Sequence, residues 1–365
     1  MKIIANSKPK YQALKEYLTG IIRQETMKPG ERILSENELA DKFEISRHTV
    51  RQAVGELVSE GWLYRIKGKG TFVDRRPDRN LPGTKNVGVM TTYLNDYIFP
   101  SIIRGIDNVM NEHGYNIMLG CTYNRHEKER SCLNGFLKKP LDGLIVEATK
   151  SALPNPNLDL YREISAKGIP VLFIHGFYND LNYSYIVEDD VKAGYMAAMH
   201  LIDMGHKNIG GIFKVDDIQG HNRFKGYQNA LKSRGLDFSD NNVVWFDTGD
   251  MEAGPDIDNH DGIKEMLDLC TGLLCYNDQL SIRIIDNLRS RNLKIPENKS
   301  LVSFDDSEIA VASYVKLTTV AHPKEKLGRK AANSMLDMIN GAKKFYGVKM
   351  KPHLVIRSST YKPCI

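Results

Sequence analysis

Four polar side chains lie together in the sequence, directly after a serine that suits the start of a helix. Arg47 and Arg51 are four residues apart, so on a helix they project from the same side, and His48 and Gln52 accompany them. Arginine donates two parallel hydrogen bonds to guanine or to a phosphate, and glutamine pairs with adenine in the same groove. This spacing predicts a helix that contacts base edges in the major groove of DNA.

A second group of polar residues follows the strand-like segments in the remainder of the chain. Acids, amides and arginine hydrogen-bond the hydroxyl groups of a sugar, and an aromatic ring covers its apolar face. In an open α/β sheet, ligands bind where the strands end. The residues that meet both conditions are Tyr93, Asp96, Glu147, His175, Gln219, Arg223, Asn277 and Asp305. Each alone is more typical of a helix cap or a loop, and His175 equally suits neutral packing, but together they predict a sugar site.

The elements around Arg47 are predicted from helix caps and hydrophobic spacing. Ser35 and Glu38 fit a capping box that starts a short helix ending near Lys42. Ser46 caps the next helix, whose apolar residues recur with the 3.6-residue period of one buried stripe. These apolar residues are Val50, Ala53, Val54, Leu57 and Val58.

Two β-rich runs, at residues 62–66 and 71–73, follow these helices and enclose the basic turn Lys67-Gly68-Lys69-Gly70. The pattern predicts a hairpin whose glycines allow the backbone close to a phosphate. Any one of these features also fits a surface helix pair with a solvated basic loop. The ordered set of caps, stripe, basic face and hairpin favours a winged helix-turn-helix, an α+β fold.

The positive charge is concentrated in the same region. Residues 1–80 carry 16 Lys+Arg and 11 Asp+Glu, a net charge of +5, whereas residues 81–365 carry 34 of each sign. A local basic excess suits a module that binds phosphates, and an electrically neutral remainder suits a small neutral ligand.

The chain of 365 residues is too long for one hydrophobic core, and its composition predicts where it divides. From Asp74 to Lys85 the sequence is charged, contains two prolines and has Leu81 as its one large apolar residue, which predicts a linker at residues 75–85. We therefore expect a DNA-binding domain at residues 1–74 and an effector-binding and dimerisation domain at residues 86–365.

The second domain alternates apolar runs with amphipathic stretches of helix length, which predicts βαβ units around parallel sheets in two lobes. The expected buried strands are Val87–Met90, Tyr115–Leu119, Gly143–Val146, Val171–Ile174, Ile209–Phe213, Val243–Phe246, Leu273–Tyr276 and Leu301–Phe304. The expected helices include Ile102–Glu112, Ala193–Met204, Phe224–Arg234 and Leu280–Arg291.

Several classes of protein are disfavoured by what the sequence lacks. The five cysteines show no CxxC pair and no metal-ligand spacing, so we expect reduced thiols and no bound metal. The sequence has no signal peptide and no apolar run long enough for a membrane span, which favours a cytoplasmic location without membrane association. It has no G-x-G-x-x-G after the first strand, no P-loop and no G-x-S-x-G, so we expect neither an enzyme nor a cofactor.

Residues 10–74 resemble the GntR-type winged helix in their motifs Leu34-Ser35-Glu36, Ser46-Arg47-His48-Thr49-Val50-Arg51, Gly61-Trp62 and Gly68-Lys69-Gly70-Thr71-Phe72-Val73. One departure is Leu34, where that family usually has proline, which alters how the loop enters the helix. The resemblance implies DNA contacts at Glu36, Asn37, Ser46, Arg47, His48, Thr49, Arg51, Lys67 and Gly68, with Lys10 as a weaker candidate for a phosphate.

Residues 86–361 resemble the LacI/GalR-type effector domain, which is similar to periplasmic sugar-binding proteins. The matching motifs include Asp142-Gly143-Leu144-Ile145, Arg223-Phe224-Lys225-Gly226-Tyr227, Tyr276-Asn277-Asp278 and Val302-Ser303-Phe304-Asp305-Asp306. The resemblance implies ligand contacts at Glu147, His175, Gln219, Arg223, Asn277 and Asp305.

A GntR-type reader joined to a LacI-type sensor is the pattern of the bacterial arabinose repressors, and residues 91–106 and 146–152 resemble that group specifically. The resemblance implies a homodimeric repressor that binds double-stranded operator DNA and is released by L-arabinose. Two alternatives remain open, namely the same kind of regulator with a different sugar and a sugar-binding protein without a regulatory role.

Overall fold

The computed structural model describes residues 9–23, 26–28, 30–59, 62–66, 68–73, 84–94, 98–252, 261–342 and 346–362. The chain divides into two compact units, and the second of them begins at Thr84. Most of the predicted linker, residues 75–83, lies outside the described residues. Its last two residues, Thr84 and Lys85, are fixed to the second unit, because their backbone N–H groups donate to the carboxylate of Asp142 at 2.9 Å each.

The first unit is a winged helix-turn-helix. Its elements are α1 (Lys10–Arg23), α2 (Glu36–Phe43), α3 (Arg47–Ser59), β1 (Leu63–Ile66) and β2 (Gly70–Val73). The two strands pair antiparallel as a hairpin. The stripe predicted on α3 packs inward: Val50, Ala53, Val54 and Leu57 are buried, and Val58 is partly buried against the same core.

Local sequence explains where the two central helices begin. The Ser35 hydroxyl accepts from the Glu38 N–H, and the Glu38 carboxylate accepts from the Ser35 N–H at 2.7 Å, so the predicted capping box is present. These hydrogen bonds lower the pKa of Glu38. The Ser46 hydroxyl accepts from the Thr49 N–H at 3.1 Å and caps α3 in the same way.

The second unit contains two six-stranded sheets, each covered by helices. The sheet of lobe 1 has the order β13-β7-β6-β5-β3-β4, and its strands are parallel. The sheet of lobe 2 has the order β14-β12-β11-β10-β8-β9 and is parallel except where β14 pairs antiparallel with β12. Parallel strands with both faces covered are continuous apolar runs, which is why most of them are recognisable in the sequence.

The strands of lobe 1 are β3 (Asn86–Thr91), β4 (Asn116–Cys121), β5 (Gly143–Glu147), β6 (Val171–Ile174), β7 (Ser184–Glu188) and β13 (Gly347–Met350), and its helices are α4 (Phe99–Glu112), α5 (His126–Leu137), α6 (Leu158–Ala166) and α13 (Lys324–Ile339). The strands of lobe 2 are β8 (Ile209–Lys214), β9 (Val243–Phe246), β10 (Gly272–Cys275), β11 (Ser300–Asp305), β12 (Thr318–Ala321) and β14 (His353–Val355), and its helices are α7 (Asp190–Asp203), α8 (Ile218–Ser233), α9 (Thr248–Glu252), α10 (Asp261–Leu269), α11 (Asp278–Ser290) and α12 (Glu308–Ala312).

The chain passes between the lobes three times. It crosses between β7 and α7, between β12 and α13, and between β13 and β14. In each sheet these strands are the edge strand and its neighbour, β13 and β7 in lobe 1 and β14 and β12 in lobe 2, so the three hinge segments lie toward the same edge.

The eight strands predicted from the sequence are all present, with ends shifted by up to two residues, but two of them are not fully buried. The runs Tyr115–Leu119 and Val243–Phe246 predict buried strands, whereas β4 and β9 are edge strands with partly exposed side chains. The strands β7, β12, β13 and β14 were not predicted. β7 begins with serine and ends in glutamate, and β12 begins with two threonines. β13 and β14 are short strands at sheet edges, so none of the four shows an uninterrupted apolar run.

In the part of the chain that the structure describes, no helix combines the length and the apolar character needed to cross a membrane.

Candidate functional site

The first candidate surface is the exposed face of α3. Arg47, His48, Arg51 and Gln52 are exposed there, on the side opposite the buried stripe. Ser46 and Thr49 lie at the N-terminal end of the same helix, where their side chains hydrogen-bond each other at 2.8 Å. A helix with exposed arginine and glutamine at its N-terminal turns has the arrangement that contacts base edges in a major groove.

Glu36 connects this helix to the hairpin. Its Oε2 accepts from Arg51 Nε at 3.1 Å, and its Oε1 accepts from Arg65 Nη2 of β1, also at 3.1 Å. The Arg51 side chain is still 68% exposed. Arg65 was not singled out from the sequence as a DNA contact, although its place on an exposed strand face beside a basic turn would have suggested it.

The remaining DNA-contact candidates are at the surface as well. Asn37 is exposed on α2, Lys10 is exposed at the start of α1, and Gly68 has a φ of +77° in the exposed turn of the hairpin. Lys67 lies outside the described residues.

The second candidate site is a cleft between the two lobes, where the carboxyl ends of both sheets meet. Seven of the eight residues predicted to bind a sugar line this one cleft, and the eighth, Asp96, lies outside the described residues. The residues that line the cleft are Thr92, Tyr93, Ile98, Phe99, Glu147, His175, Lys214, Asp217, Gln219, Arg223, Tyr276, Asn277, Asp305 and His322.

Glu147 organises the lobe 1 side of the cleft. Its Oε2 accepts from the backbone N–H and the hydroxyl of Thr92 at 2.6 and 2.7 Å, and its Oε1 contacts Nδ1 of His175 at 3.0 Å. Burial lowers the pKa of His175, but the hydrogen bond and negative charge of Glu147 outweigh it, so that the pKa is raised. His175 has a φ of +61°, a left-handed conformation that tertiary contacts must hold in place.

A pair of histidines joins the lobes beside the hinge segments. Nε2 of His175 lies 2.9 Å from Nε2 of His322, which follows β12 of lobe 2. Burial and the positive charge of His175 lower the pKa of His322 well below its usual value. The contacts of both His175 ring nitrogens, with Glu147 and with His322, make it a member of a polar network and not a residue that only packs.

Glu188 lies next to this pair. Its Oε1 is 3.2 Å from His322 Nε2, and its Oε2 accepts from Gln219 Nε2 at 3.1 Å. Burial, together with the nearby Asp190, raises the pKa of Glu188 to about 8.

Arg223 of α8 occupies the centre of the lobe 2 side. Its Nε donates to Asp190 Oδ1 at 2.9 Å, its Nη1 donates to the carbonyl of Tyr276 at 2.6 Å, and its Nη2 lies 3.8 Å from Asp305 Oδ1. The guanidinium is buried, yet the surrounding acids raise its pKa, so it stays charged. Gln219 lies one turn earlier on the same helix and faces the same cleft.

Lys214 and Asp217 form a further charged pair in the cleft, which the sequence did not identify. Lys214 Nζ donates to Asp217 Oδ2 at 2.6 Å. Burial lowers the pKa of Lys214, but the charges of Asp217 and Asp216 outweigh it, so that the pKa is raised. The paired acids at 216 and 217 are visible in the sequence, where adjacent carboxylates on a loop usually indicate only solvated or capping groups.

Aromatic side chains supply the apolar part of the cleft. Tyr93 and Phe99 of lobe 1 pack with ring centroids 6.4 Å apart, and Tyr276 of lobe 2 lies under the Arg223 guanidinium at 4.9 Å. Positive groups, acids and amides thus alternate around an aromatic surface, and each cation is already paired with an acid. This arrangement suits an uncharged ligand that carries several hydroxyl groups.

Comparison with known proteins identifies both parts of the chain. Residues 10–73 match the model for bacterial regulatory proteins of the gntR family, and residues 198–360 match the model for a periplasmic binding protein-like domain. The chain is also similar to a solved structure, the transcription regulator CcpA of Lactococcus lactis, with a TM-score of 0.66 and 23% identity over 75% of this chain and 98% of that one.

Two relatives span almost the full length. An arabinose metabolism transcriptional repressor of Halalkalibacterium halodurans is 41% identical over 96% of both chains. A protein of the same name from Geobacillus stearothermophilus is 38% identical over 96% of this chain and 98% of its own length. The chain therefore belongs to the family of arabinose metabolism transcriptional repressors, with a gntR-type winged helix followed by a periplasmic binding protein-like domain.

Proposed function

We propose that the chain represses transcription by binding operator DNA through α3 and the hairpin, and that L-arabinose in the interlobe cleft releases it. The observation that carries this proposal is the cleft, in which seven residues chosen for sugar chemistry surround one space. The names of the relatives select arabinose from the neutral sugars that such a cleft accepts.

The charges of the cleft argue for a neutral sugar over a sugar phosphate or a sugar acid. Lys214 is paired with Asp217 and Arg223 with Asp190, so neither cation is free to neutralise an anionic ligand. The acids Glu147 and Asp305 add negative charge that would repel one. Hydroxyl groups, in contrast, donate to these carboxylates and accept from the cationic side chains.

Release from DNA needs only a difference in sugar affinity between two states of the protein. A sugar that bridges the two lobes binds best when they are closed, so it shifts the population toward the closed form. The DNA-competent form is then the one with the lower affinity for sugar.

We further propose that the repressor acts as a homodimer on a pseudo-palindromic operator, since winged-helix readers commonly bind two half-sites. An exposed patch on lobe 2 suits a second copy of the chain. Tyr314 is 91% exposed there, next to Arg289 and Asp286 of α11. A patch with both an acid and a base is self-complementary when the two charges lie on opposite sides of the two-fold axis, because each then meets its opposite on the other copy.

The first experiment is thermal unfolding of the full chain with a panel of neutral sugars, their phosphates and sugar acids. A ligand at a hundred times its Kd stabilises the native state by about 2.7 kcal/mol, which moves the sensor transition by a readily measured amount. We expect a shift with L-arabinose and none with L-arabinonate. A shift with a different sugar would mean that this sugar, and not L-arabinose, is the ligand. If none of the sugars causes a shift, the assignment of the cleft as a sugar site is wrong.

The second experiment measures operator binding by fluorescence anisotropy with and without L-arabinose. We expect the sugar to weaken operator binding of the wild type and of the control Arg234→Met, whose arginine forms an exposed pair with Asp203. Arg223→Met is expected to bind operator with an affinity that L-arabinose does not change. If L-arabinose leaves operator affinity unchanged in the wild type, the regulatory part of the proposal is wrong.

A further inference from the structure

A second set of contacts joins the two lobes on the side of the cleft opposite the hinge. The hinge segments adjoin strands β7 and β13 of lobe 1 and β12 and β14 of lobe 2, at one edge of each sheet. The second set arises from residues that follow β4 and β5 in lobe 1 and β8 and β9 in lobe 2, toward the other edge of each sheet. Contacts in this position hold the two lobes together on the side of the cleft that lies away from the hinge.

Among the described residues, four side-chain contacts cross from lobe 1 to lobe 2 here. One of them, from Asn124 Nδ2 to Asp217 Oδ1 at 3.4 Å, reaches a residue that lines the cleft, and we call the other three the latch. Asn124 Nδ2 donates to Thr248 Oγ1 at 2.7 Å, and Lys150 Nζ lies 3.5 Å from Asp216 Oδ2. Ser151 Oγ accepts from the backbone N–H of Ile218 at 3.0 Å. A backbone hydrogen bond runs beside them, from the N–H of Ala152 to the carbonyl of Asp216 at 3.2 Å.

Each half of the latch is held together within its own lobe. In lobe 1, Asn124 Oδ1 accepts from the backbone N–H of Lys150 at 2.7 Å. In lobe 2, Asp216 Oδ2 accepts from the Thr248 hydroxyl at 2.6 Å and from its N–H at 3.2 Å. The contacts across the cleft thus join two organised groups, and loss of one contact weakens its neighbours.

The backbone of lobe 1 is strained at this point. Tyr123, Asn124 and Lys150 have φ angles of +50°, +51° and +44°, although none of them is glycine. Left-handed residues of this kind cost free energy and persist where surrounding contacts fix them, often at ligand clamps and switch regions. Asparagine adopts this conformation readily, so Tyr123, which follows β4, and Lys150, which follows β5, are the strained residues beside the latch contacts.

The latch adjoins the sugar cleft without being part of it. Asn124, Lys150, Asp216 and Thr248 are absent from the residues that line the cleft. Lys214, which does line it, lies 3.6 Å from Asp216 Oδ1. Asp216 and Thr248 are both almost fully buried in the closed form, and lobe opening would return them to water.

We propose that the latch keeps the lobes of the free protein closed for part of the time, and thereby sets the affinity for the sugar without touching it. This inference rests on the proposed function for its ligand, but the closure itself is a property of the free chain. The apparent Kd of a ligand that binds the closed form equals its intrinsic Kd divided by the closed fraction. Latch residues are thus positioning residues, and weakening them raises the concentration of sugar needed for release.

The test compares Lys150→Met, Thr248→Val and Thr248→Ser with the wild type in the full chain. Lys150→Met removes one charge of the latch, Thr248→Val removes the hydroxyl that joins both halves, and Thr248→Ser retains that hydroxyl. Lys207→Met is the matched control, since Lys207 is an exposed lysine of the same unit. If Thr248→Val fails to fold, Lys150→Met still decides the question.

The first readout needs no ligand. The N–H groups of Ala152 and Ile218 donate across the cleft, so their hydrogen–deuterium exchange reports lobe opening directly. We expect faster exchange at both amides in free Lys150→Met and Thr248→Val, and wild-type exchange in Thr248→Ser and Lys207→Met. Unchanged exchange in both latch variants overturns the inference, whatever the sugar results are.

The second readout is the Kd for L-arabinose by titration calorimetry. We expect Kd to rise roughly 5-fold or more in the two latch variants, in the usual range of coupling between sites. Faster exchange with an unchanged Kd would overturn the link between closure and affinity. If the wild type does not bind L-arabinose, the proposed ligand is wrong, and the exchange of the free proteins still tests the latch.

Discussion

Arg223 Nε donates to Asp190 Oδ1 at 2.9 Å, and both side chains are almost fully buried. The pair joins the first turn of α7, directly after a hinge segment, to the second turn of α8, which forms one wall of the cleft. Two further nitrogens of the guanidinium are oriented by the Tyr276 carbonyl and by Asp305. The position of Arg223 is therefore fixed before any ligand arrives, as electrostatic recognition of hydroxyl groups requires.

Replacement of Arg223 by lysine keeps the charge and loses this fixed position. A single ammonium group does not satisfy Asp190, the Tyr276 carbonyl and Asp305 together. We expect Arg223→Lys to bind the sugar at least about 10-fold more weakly and to lower the unfolding free energy of the sensor by about 1–3 kcal/mol, because one ammonium group leaves a buried acceptor without its hydrogen bond. Calorimetry and urea unfolding measure the two effects. Arg234→Lys is the control, and wild-type behaviour of both variants would contradict the assigned role.

The buried Glu188 predicts how stability depends on pH. Burial and the adjacent Asp190 raise its pKa from 4.5 to about 8, so the folded protein holds this proton more tightly than the unfolded chain. The stabilisation is complete below the unfolded pKa and is lost as pH rises through about 8. His175, whose pKa is also raised, acts with the same sign, and His322, whose pKa is lowered from 6.5, destabilises the fold only at lower pH.

We therefore expect the unfolding free energy of the wild-type sensor to decrease between about pH 6.5 and pH 8, and to decrease less in Glu188→Gln. Urea unfolding at several pH values measures the slope. Glu127→Gln, a change at an exposed glutamate of α5, should follow the wild type. Parallel curves for wild type and Glu188→Gln would show that this carboxyl does not hold a proton near neutral pH.

The residues of the cleft show how much of the site could be predicted from the sequence. The rule that ligands bind at the ends of parallel strands was enough to select Glu147, His175 and Asp305, because each follows an apolar run that is visible in the sequence. Arg223 and Gln219 were found in the same way, from the start of the helix after β8. The helix caps and the stripe of α3 were predicted equally well, since they depend on residues within one or two turns.

Residues that depend on distant contacts were missed. His322 follows β12 and Glu188 ends β7, and neither strand has an apolar run long enough to be recognised. Lys214 comes directly after the predicted strand Ile209–Phe213, but its role depends on Asp217 folding back upon it. The latch joins Asn124 to Thr248 across 124 positions of sequence, a proximity that no local pattern encodes.

The close contact between α7 and α8 predicts a strong effect of two small substitutions. A Cβ on Gly194 would lie 2.1 Å from the Arg223 carbonyl, and a Cβ on Gly226 would lie 2.1 Å from the Val191 carbonyl. Because backbone atoms cannot move aside, the helices must separate, and the Arg223–Asp190 pair between them must lengthen. We expect Gly194→Ala and Gly226→Ala each to cost about 1–3 kcal/mol of unfolding free energy and to weaken sugar binding.

Gly135→Ala is the matched control for these variants. Gly135 is also a helical glycine, on α5, and a Cβ there would meet no atom within 4 Å. This change should stabilise the sensor slightly, by up to about 1 kcal/mol, because alanine loses less backbone entropy on folding. Equal melting temperatures for all three variants would mean that the two helices tolerate a wider separation.

The contacts of the Glu36 carboxylate predict that two arginines of the winged helix have different roles in DNA binding. It holds Arg51 of α3 and Arg65 of β1 on its two oxygens, so both guanidinium groups lie on the same exposed side. Arg51 is on the helix expected to contact bases, and its loss should cost about 1–3 kcal/mol of operator binding and relax specificity. Arg65 is on the hairpin, where a phosphate contact would weaken binding to all sequences about equally and reduce the salt slope by about one.

The measurement is anisotropy of Arg51→Ala and Arg65→Ala on operator and on random DNA over a range of salt concentrations. Arg329→Ala, which changes an exposed arginine of the sensor, is the control for net charge. Arg51→Ala should reduce the ratio of operator to random-DNA affinity, and Arg65→Ala should preserve that ratio while both affinities decrease. If Arg65→Ala changes the ratio and Arg51→Ala does not, the hairpin and not α3 selects the sequence.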